Sequence, residues 1–156
     1  MVAVIISLEG VNLSSGLIVR EMSLYFTHDR SYRHYFFKVP RNLELTHGDR
    51  QTDRYYRNIL GGIGLIRQIP GSLDYRCVAE LLLSLQGYSI YTCGNVSFQY
   101  LRENMPNAKI TDIQTISSFS YPSTVQGTGC GIEHPPRYCA LAKLRVVKDY
   151  CYKQFN

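Results

Sequence analysis

The residues best suited to chemistry lie in one short stretch, GTGCGIEHPPRYCALAKLRVV, at positions 127–147. It holds Cys130, three residues, His134, four residues and Cys139, and then runs into an apolar-periodic segment. Thiolates and a neutral imidazole are donors that Zn²⁺ prefers. A tetrahedral ion needs a fourth ligand, which would have to come from elsewhere in the chain. A histidine just ahead of a helix can also serve as acid or base in hydrolysis. The plainer reading makes Cys130 a buried loop thiol and Cys139 a core residue of the last helix, since cysteine is often buried for packing alone.

A second group of candidates lies in HDRSYRHYFFK and DRQTDRYYRN, where basic residues alternate with tyrosine. Arginine and lysine supply phosphate contacts, and tyrosine supplies faces on which bases stack. The candidates are Arg30, Arg33, Lys38, Arg41, Arg50, Arg54, Tyr55, Tyr56 and Arg57. A solvated strand edge and loop would carry the same composition, and exposed Tyr and Arg also typify protein contacts.

The elements that must position these residues follow from hydrophobic period and punctuation. VAVIISLEG (2–10), LIVREMSLYF (17–26) and YRHYFFKVP (32–40) read as three strands joined by short turns, an antiparallel meander. A helix is expected from about Thr52, capped by Thr52 or Asp53. The clearest helix is SLDYRCVAELLLSLQGY (72–88), with Ser72 as cap and Val78, Leu81, Leu82 and Leu85 as its apolar face. SIYTCGN (89–95) is a strand, VSFQYLRENMP a short helix ending before Pro106, and AKITDIQTI (108–116) another strand. The chain closes as a helix with prolines in its first turn and Leu141, Leu144, Val147, Cys151 and Phe155 along one stripe. Cys77 and Cys151 read as core positions on helices. The expected architecture is α/β, a mixed five-stranded sheet flanked by helices, in a single domain spanning 1–156.

Composition agrees with one globular core: 156 residues, 45% hydrophobic, 19% charged, no Trp and thirteen Tyr. A net charge of +5 is compatible with nucleic acid or another anionic partner. The N-terminal MVAVIISLEG has no basic leader and is too short to span a bilayer, so no membrane association and a cytoplasmic or nuclear location are expected. Five cysteines in a reducing compartment are expected to be thiols or metal ligands rather than disulfides.

Three local patterns resemble those of the DEDDh exonucleases, a branch of the RNase H-like fold. In SLEG, Glu9 matches the family's Glu, but Ser7 stands where the first acid belongs. In CGNVSFQYL, Asn95 and Phe98 match and Gln99 replaces an aspartate. In HPPRYCALAKL, His134 and Ala140 match and Cys139 replaces an aspartate. The family holds two hard divalent ions with acidic side chains. With only Glu9 left of the four acids, the resemblance implies a pseudo-exonuclease.

Glu9, Cys130, His134 and Cys139 together resemble the zinc-binding set of the Maelstrom domain, a degenerate relative of those nucleases. The resemblance implies a structural Zn²⁺ held by these four residues; Cys93, at the end of a neighbouring strand, is the alternative to Glu9. It also implies single-stranded RNA as partner and a role in the germline small-RNA (piRNA) pathway that silences transposons, within a silencing complex. Three alternatives remain. One is a relative encoded by a virus or mobile element. Another is a protein-interaction scaffold, with the meander edge available for a homodimer. The third is cleavage without two metals by Glu9, His134 and Asp112.

Overall fold

A computed structural model describes residues 2–122 and 130–155 of the chain. Three strands open it: β1 (Ala3–Leu13), β2 (Gly16–Phe26) and β3 (Ser31–Phe36). Then come α1 (His47–Asn58), α2 (Arg76–Leu83), β4 (Ser89–Thr92), α3 (Asn95–Asn104), β5 (Lys109–Asp112) and α4 (Ile113–Ile116). A 3-10 turn (Pro136–Tyr138) leads into α5 (Ala140–Phe155). The five strands form one sheet in the order β3-β2-β1-β4-β5. β1–β2 and β2–β3 pair antiparallel, whereas β1–β4 and β4–β5 pair parallel. This is the expected α/β class with a mixed sheet flanked by helices.

The sheet is buried on both faces, as the near-continuous apolar runs of β1 and β2 require. Val4, Ile6, Leu8, Met22, Leu24 and Phe26 face one side and pack with Val78, Leu82 and Leu85 of the α2 region and Leu101 of α3. Ile5 and Tyr25 face the other and pack with Leu141, Leu144 and Val147 of α5. Side chains alternate along a strand. Ser7 and Glu9 of β1, and Glu21 and Ser23 of β2, therefore share the α5 face. That leaves a polar stripe between sheet and helix.

Several boundaries differ from the sequence-based expectation. β1 does not stop at Gly10 but runs on to Leu13 through a bulge, where the register moves from Glu9↔Glu21 to Gly10↔Val19 and Arg20 falls between. Gly10 makes this passage possible, because a Cβ there would sit 1.8 Å from the Ile18 carbonyl oxygen. The displaced Arg20 is almost fully buried. Its guanidinium donates to the carbonyls of Phe37, Gly64 and Arg67, fastening the end of β3 to the 60–70 loop.

α1 begins earlier than Thr52. Thr46 is its cap, with Asp49 completing a capping box, and Asp49 also accepts from the Ser14 amide and hydroxyl. This packs α1 against the β1–β2 turn. The α2 helix is shorter than 72–88. Ser72 bonds to the Ile69 carbonyl instead of capping, and the chain reaches Gly87 through turns. The expected strand 108–116 divides at Asp112, whose side chain accepts from the Gln114 amide and starts α4. The apolar stripe of α5 forms as expected at Leu141, Leu144 and Val147, with Cys151 half-buried and the Phe155 side chain outside the described residues. Cys77 and Cys151 are half-buried helix positions packed against the cores.

Candidate metal centre

Cys130, His134 and Cys139 come together at the start of α5, where the 3-10 turn lowers the chain onto the sheet. The fourth member of the cluster is Glu21 of β2, not Glu9. One ligand atom from each of Glu21, Cys130, His134 and Cys139 lies within 4.8 Å of every other. Glu21 Oε1 is 3.4 Å from His134 Nε2, Cys139 Sγ is 3.6 Å from Glu21 Oε2, and Cys130 Sγ is 3.9 Å from His134 Nε2. Around Zn²⁺, with bonds of about 2.0 Å to nitrogen or oxygen and about 2.3 Å to sulfur, the edges of a tetrahedron measure roughly 3.3–3.8 Å. The donor set suits a tetrahedral N/O/S₂ ion, and its atoms, within 4.8 Å of one another, lie near the spacing such an ion requires.

The cluster is largely enclosed by protein. Glu21, His134 and Cys139 are buried, and Cys130 is half-buried. The His134 Nδ1 has no hydrogen-bond partner among the described residues. Glu21 is fixed from outside the cluster as well. Its Oε1 accepts from the Ala140 amide at 2.9 Å, and its Oε2 lies 2.6 Å from His34 Nε2 on β3. Burial alone would raise the Glu21 carboxyl, but hydrogen bonds to His134, His34 and the Ala140 amide outweigh it and bring it down to about 2. Burial, reinforced by the Glu21 charge, holds the Cys139 thiol well above its usual range. A cation would supply what that thiol needs to ionise.

Glu9 is placed elsewhere for a clear reason. It is the cross-strand partner of Glu21 and shares its face, but Lys143 of α5 reaches it first. Lys143 Nζ lies 2.6 Å from Glu9 Oε1, and the Tyr56 hydroxyl donates to Glu9 Oε2 at 2.7 Å. Gly62 allows this approach, since a Cβ there would stand about 2 Å from the Tyr56 ring. Cys93, the expected substitute ligand, is not in the cluster either. It hydrogen-bonds Tyr121, and burial pushes its thiol up to about 11.

Glu9, Tyr55, Tyr56, Cys93, Tyr121 and Lys143 line a cleft of about 390 Å³ that also meets the N-terminus of α3. Ser7 is buried deeper on β1, and Gln99 is exposed on α3. Asp112 is committed to the amides of Gly94 and Gln114, and His134 to the cluster, so Glu9, His134 and Asp112 do not form one acid–base group.

The basic and aromatic candidates of residues 30–57 do not form one surface. Arg30 sits in the turn before β3 with positive φ, and Arg33 lies over the Phe26 ring. Lys38 and Arg41 follow β3, and Arg57 is paired with Asp53. Tyr56 turns inward to Glu9, whereas Tyr55 stands 56% exposed at the cleft. Arg50 and Arg54 point to a different hollow. No helix among the described residues is long and apolar enough to cross a membrane.

Compared with known proteins, the chain matches no family model and no curated sequence. Glu21 was missed because the motif reading assigned the acid to β1. A charged residue inside the apolar run LIVREMSLYF, with a histidine on the following strand, is the signal that could have pointed to it.

Proposed function

We propose that the chain is a metal-clipped, non-hydrolytic domain of the RNase H-like type, similar to the Maelstrom domain, that binds single-stranded RNA. The observation that carries the reading is the pairing of two carboxylates across one strand boundary. Glu21 joins two thiols and an imidazole, while Glu9 is neutralised by Lys143. The sheet, an antiparallel meander continued by two parallel strands, is the arrangement that the resemblance implies.

Zn²⁺ suits the donors best, with Glu21, Cys130, His134 and Cys139 as ligands. A closed four-ligand ion is structural: it ties β2, the 130–134 loop and the start of α5 together. Magnesium-dependent hydrolysis is not expected, because the carboxylate left in the cleft already has an ammonium partner and Ser7, Gln99 and Cys139 offer no hard anionic oxygen.

RNA is assigned to the cleft rather than to the whole 30–57 segment. The exposed Tyr55 ring gives a stacking face beside the N-terminus of α3, which carries no side-chain cap. The test is anisotropy of a labelled oligouridylate over a salt series with zinc-loaded protein. Binding that weakens steeply with salt and falls on Tyr55→Ala supports the reading. Absence of binding at low salt overturns the RNA part, and metal-free protein as purified overturns the clip.

A further inference from the structure

The C-terminal side of α1 faces a second hollow, of about 520 Å³, which the cleft does not share. Its floor is apolar, with Leu43 and Leu45 from the strap after β3 and Leu65 from the loop that Arg20 fastens. Ile66 stands at the lip, 67% exposed. An adjoining hollow of about 430 Å³ shares Val39, Leu65 and Ile66 with it.

One wall of this groove is cationic. Arg50, Arg54 and Arg57 follow each other at i, i+4 and i+7 on α1, which aligns them along the groove. Arg57 is neutralised by Asp53, at 2.9 Å. Arg50 and Arg54 are exposed, and neither guanidinium has a partner among the described residues. Asp53 is the single acid lining the groove among the described residues. It is buried and spent on Arg57 and the Leu65 amide. Glu44, between Leu43 and Leu45, is exposed outside the lining.

An apolar floor beside two unmatched arginines fits a ligand that carries both apolar side chains and carboxylates. No aromatic ring lines either hollow, so single-stranded RNA would find charge there but no stacking platform. The groove is also held in shape before binding. Arg20 bonds to the carbonyls of Phe37, Gly64 and Arg67, and Asp53 holds the Leu65 amide. A preformed site loses less order when it is filled.

We propose that this groove docks an acidic peptide segment of a protein partner, its apolar side chains on Leu43, Leu45 and Leu65 and its carboxylates on Arg50 and Arg54. The proposal is independent of the RNA reading, which concerns the opposite flank of α1.

The experiment selects short random peptides on phage against the full chain. It then measures the enriched sequences by anisotropy against wild type, Arg50→Glu/Arg54→Glu and Ile66→Gln. Both variants change exposed side chains, and circular dichroism verifies their folding. Enrichment of Asp or Glu together with Leu, Ile or Phe is expected, with affinity falling at least about tenfold in the arginine variant and several-fold in Ile66→Gln. Tyr55→Ala, on the other flank, should leave peptide affinity unchanged. No enrichment, peptides without an acidic excess, or binding indifferent to the arginine variant would overturn the proposal. So would displacement of the peptide by oligouridylate, which would make the groove part of an RNA surface.

Discussion

Loss of the proposed metal clip should be measurable as a loss of fold stability, and its size follows from chain topology. The cluster joins Glu21 to Cys139 across 118 residues. A cross-link closing a loop of that length removes roughly 5 kcal/mol of unfolded-state entropy in the chain-entropy model. Domains of this kind hold about 5–15 kcal/mol in total. For a chain of this length, each kcal/mol shifts Tm by roughly 2–4 °C, so stripping the ion should lower Tm by about 10–20 °C. The assay is thermal unfolding of protein as purified, after chelation and after zinc return, with metal content measured in each sample. Glu21→Gln and Cys139→Ser should yield metal to a chelator that wild type resists, whereas Glu9→Gln should keep a full complement. Because Glu21 and Cys139 are buried, Cys130→Ala at the half-buried loop position supplies a variant that disturbs the core less. A Tm indifferent to chelation and zinc, or metal lost on Glu9→Gln but retained on Glu21→Gln, would refute the reasoning.

Three further outcomes follow from other parts of the structure. The Asp49 carboxyl is lowered to about 2 by hydrogen bonds from the Ser14 and Thr46 amides and the Ser14 and Thr46 hydroxyls. Its contribution is present above the unfolded value near 3.8 and is lost as pH falls toward 2. Asp49→Asn should thus destabilise at neutral pH and flatten the acid limb between those values in urea titrations at stepped pH. Gly10→Ala should cost at least about 2 kcal/mol by urea unfolding, because its Cβ would meet the Ile18 carbonyl; a cost near zero would mean the bulge relaxes freely. A double-mutant cycle on Lys143→Met and Glu9→Gln should give a coupling of about 1–2 kcal/mol, since the pair is largely buried, and an additive result would remove the internal neutralisation of Glu9.

The meander, the five elements α2, β4, α3, β5 and α5, and the three loop-side donors were legible because each rests on a local signal: alternation, a turn residue, or a Cys/His spacing. Glu21 was not legible, and the reason is register. Two glutamates on adjacent antiparallel strands share a face only if the register leaves them opposite or an even number of residues apart, and the β1–β2 turn alone does not dictate that. The bulge at Gly10 shifts the pairing by one residue partway along, so counting back from the turn at Ser14 and Ser15 would place the two acids out of step. The start of α1 was misjudged for a related reason. Thr46 and Asp49 form a capping box ahead of a helix with little apolar content, and the Ser14 contact that secures it lies 35 residues away. The scatter of the basic residues of 30–57 over separate surfaces is likewise set by how α1 and β3 pack, which composition does not encode.

The polar stripe under α5 neutralises its acids one by one. A site built for two hard cations needs several carboxylates that share a space and lack protein counter-charges, so that the ions supply the neutralisation. Along this stripe each acid has its own solution. Glu9 takes the Lys143 ammonium and the Tyr56 hydroxyl; Glu21 takes two imidazoles, a thiol and the Ala140 amide; Asp112, at the end of β5, takes the amides of Gly94 and Gln114. Lys143 and Cys139 are one helical turn apart at the start of α5, so a single helix neutralises one carboxylate and supplies a soft donor beside the other. The same segment therefore ties both strands to the helix, through Lys143 to Glu9 and through the Ala140 amide to Glu21. This is why Glu9→Gln and Glu21→Gln, one step apart across a strand pair, are expected to behave so differently.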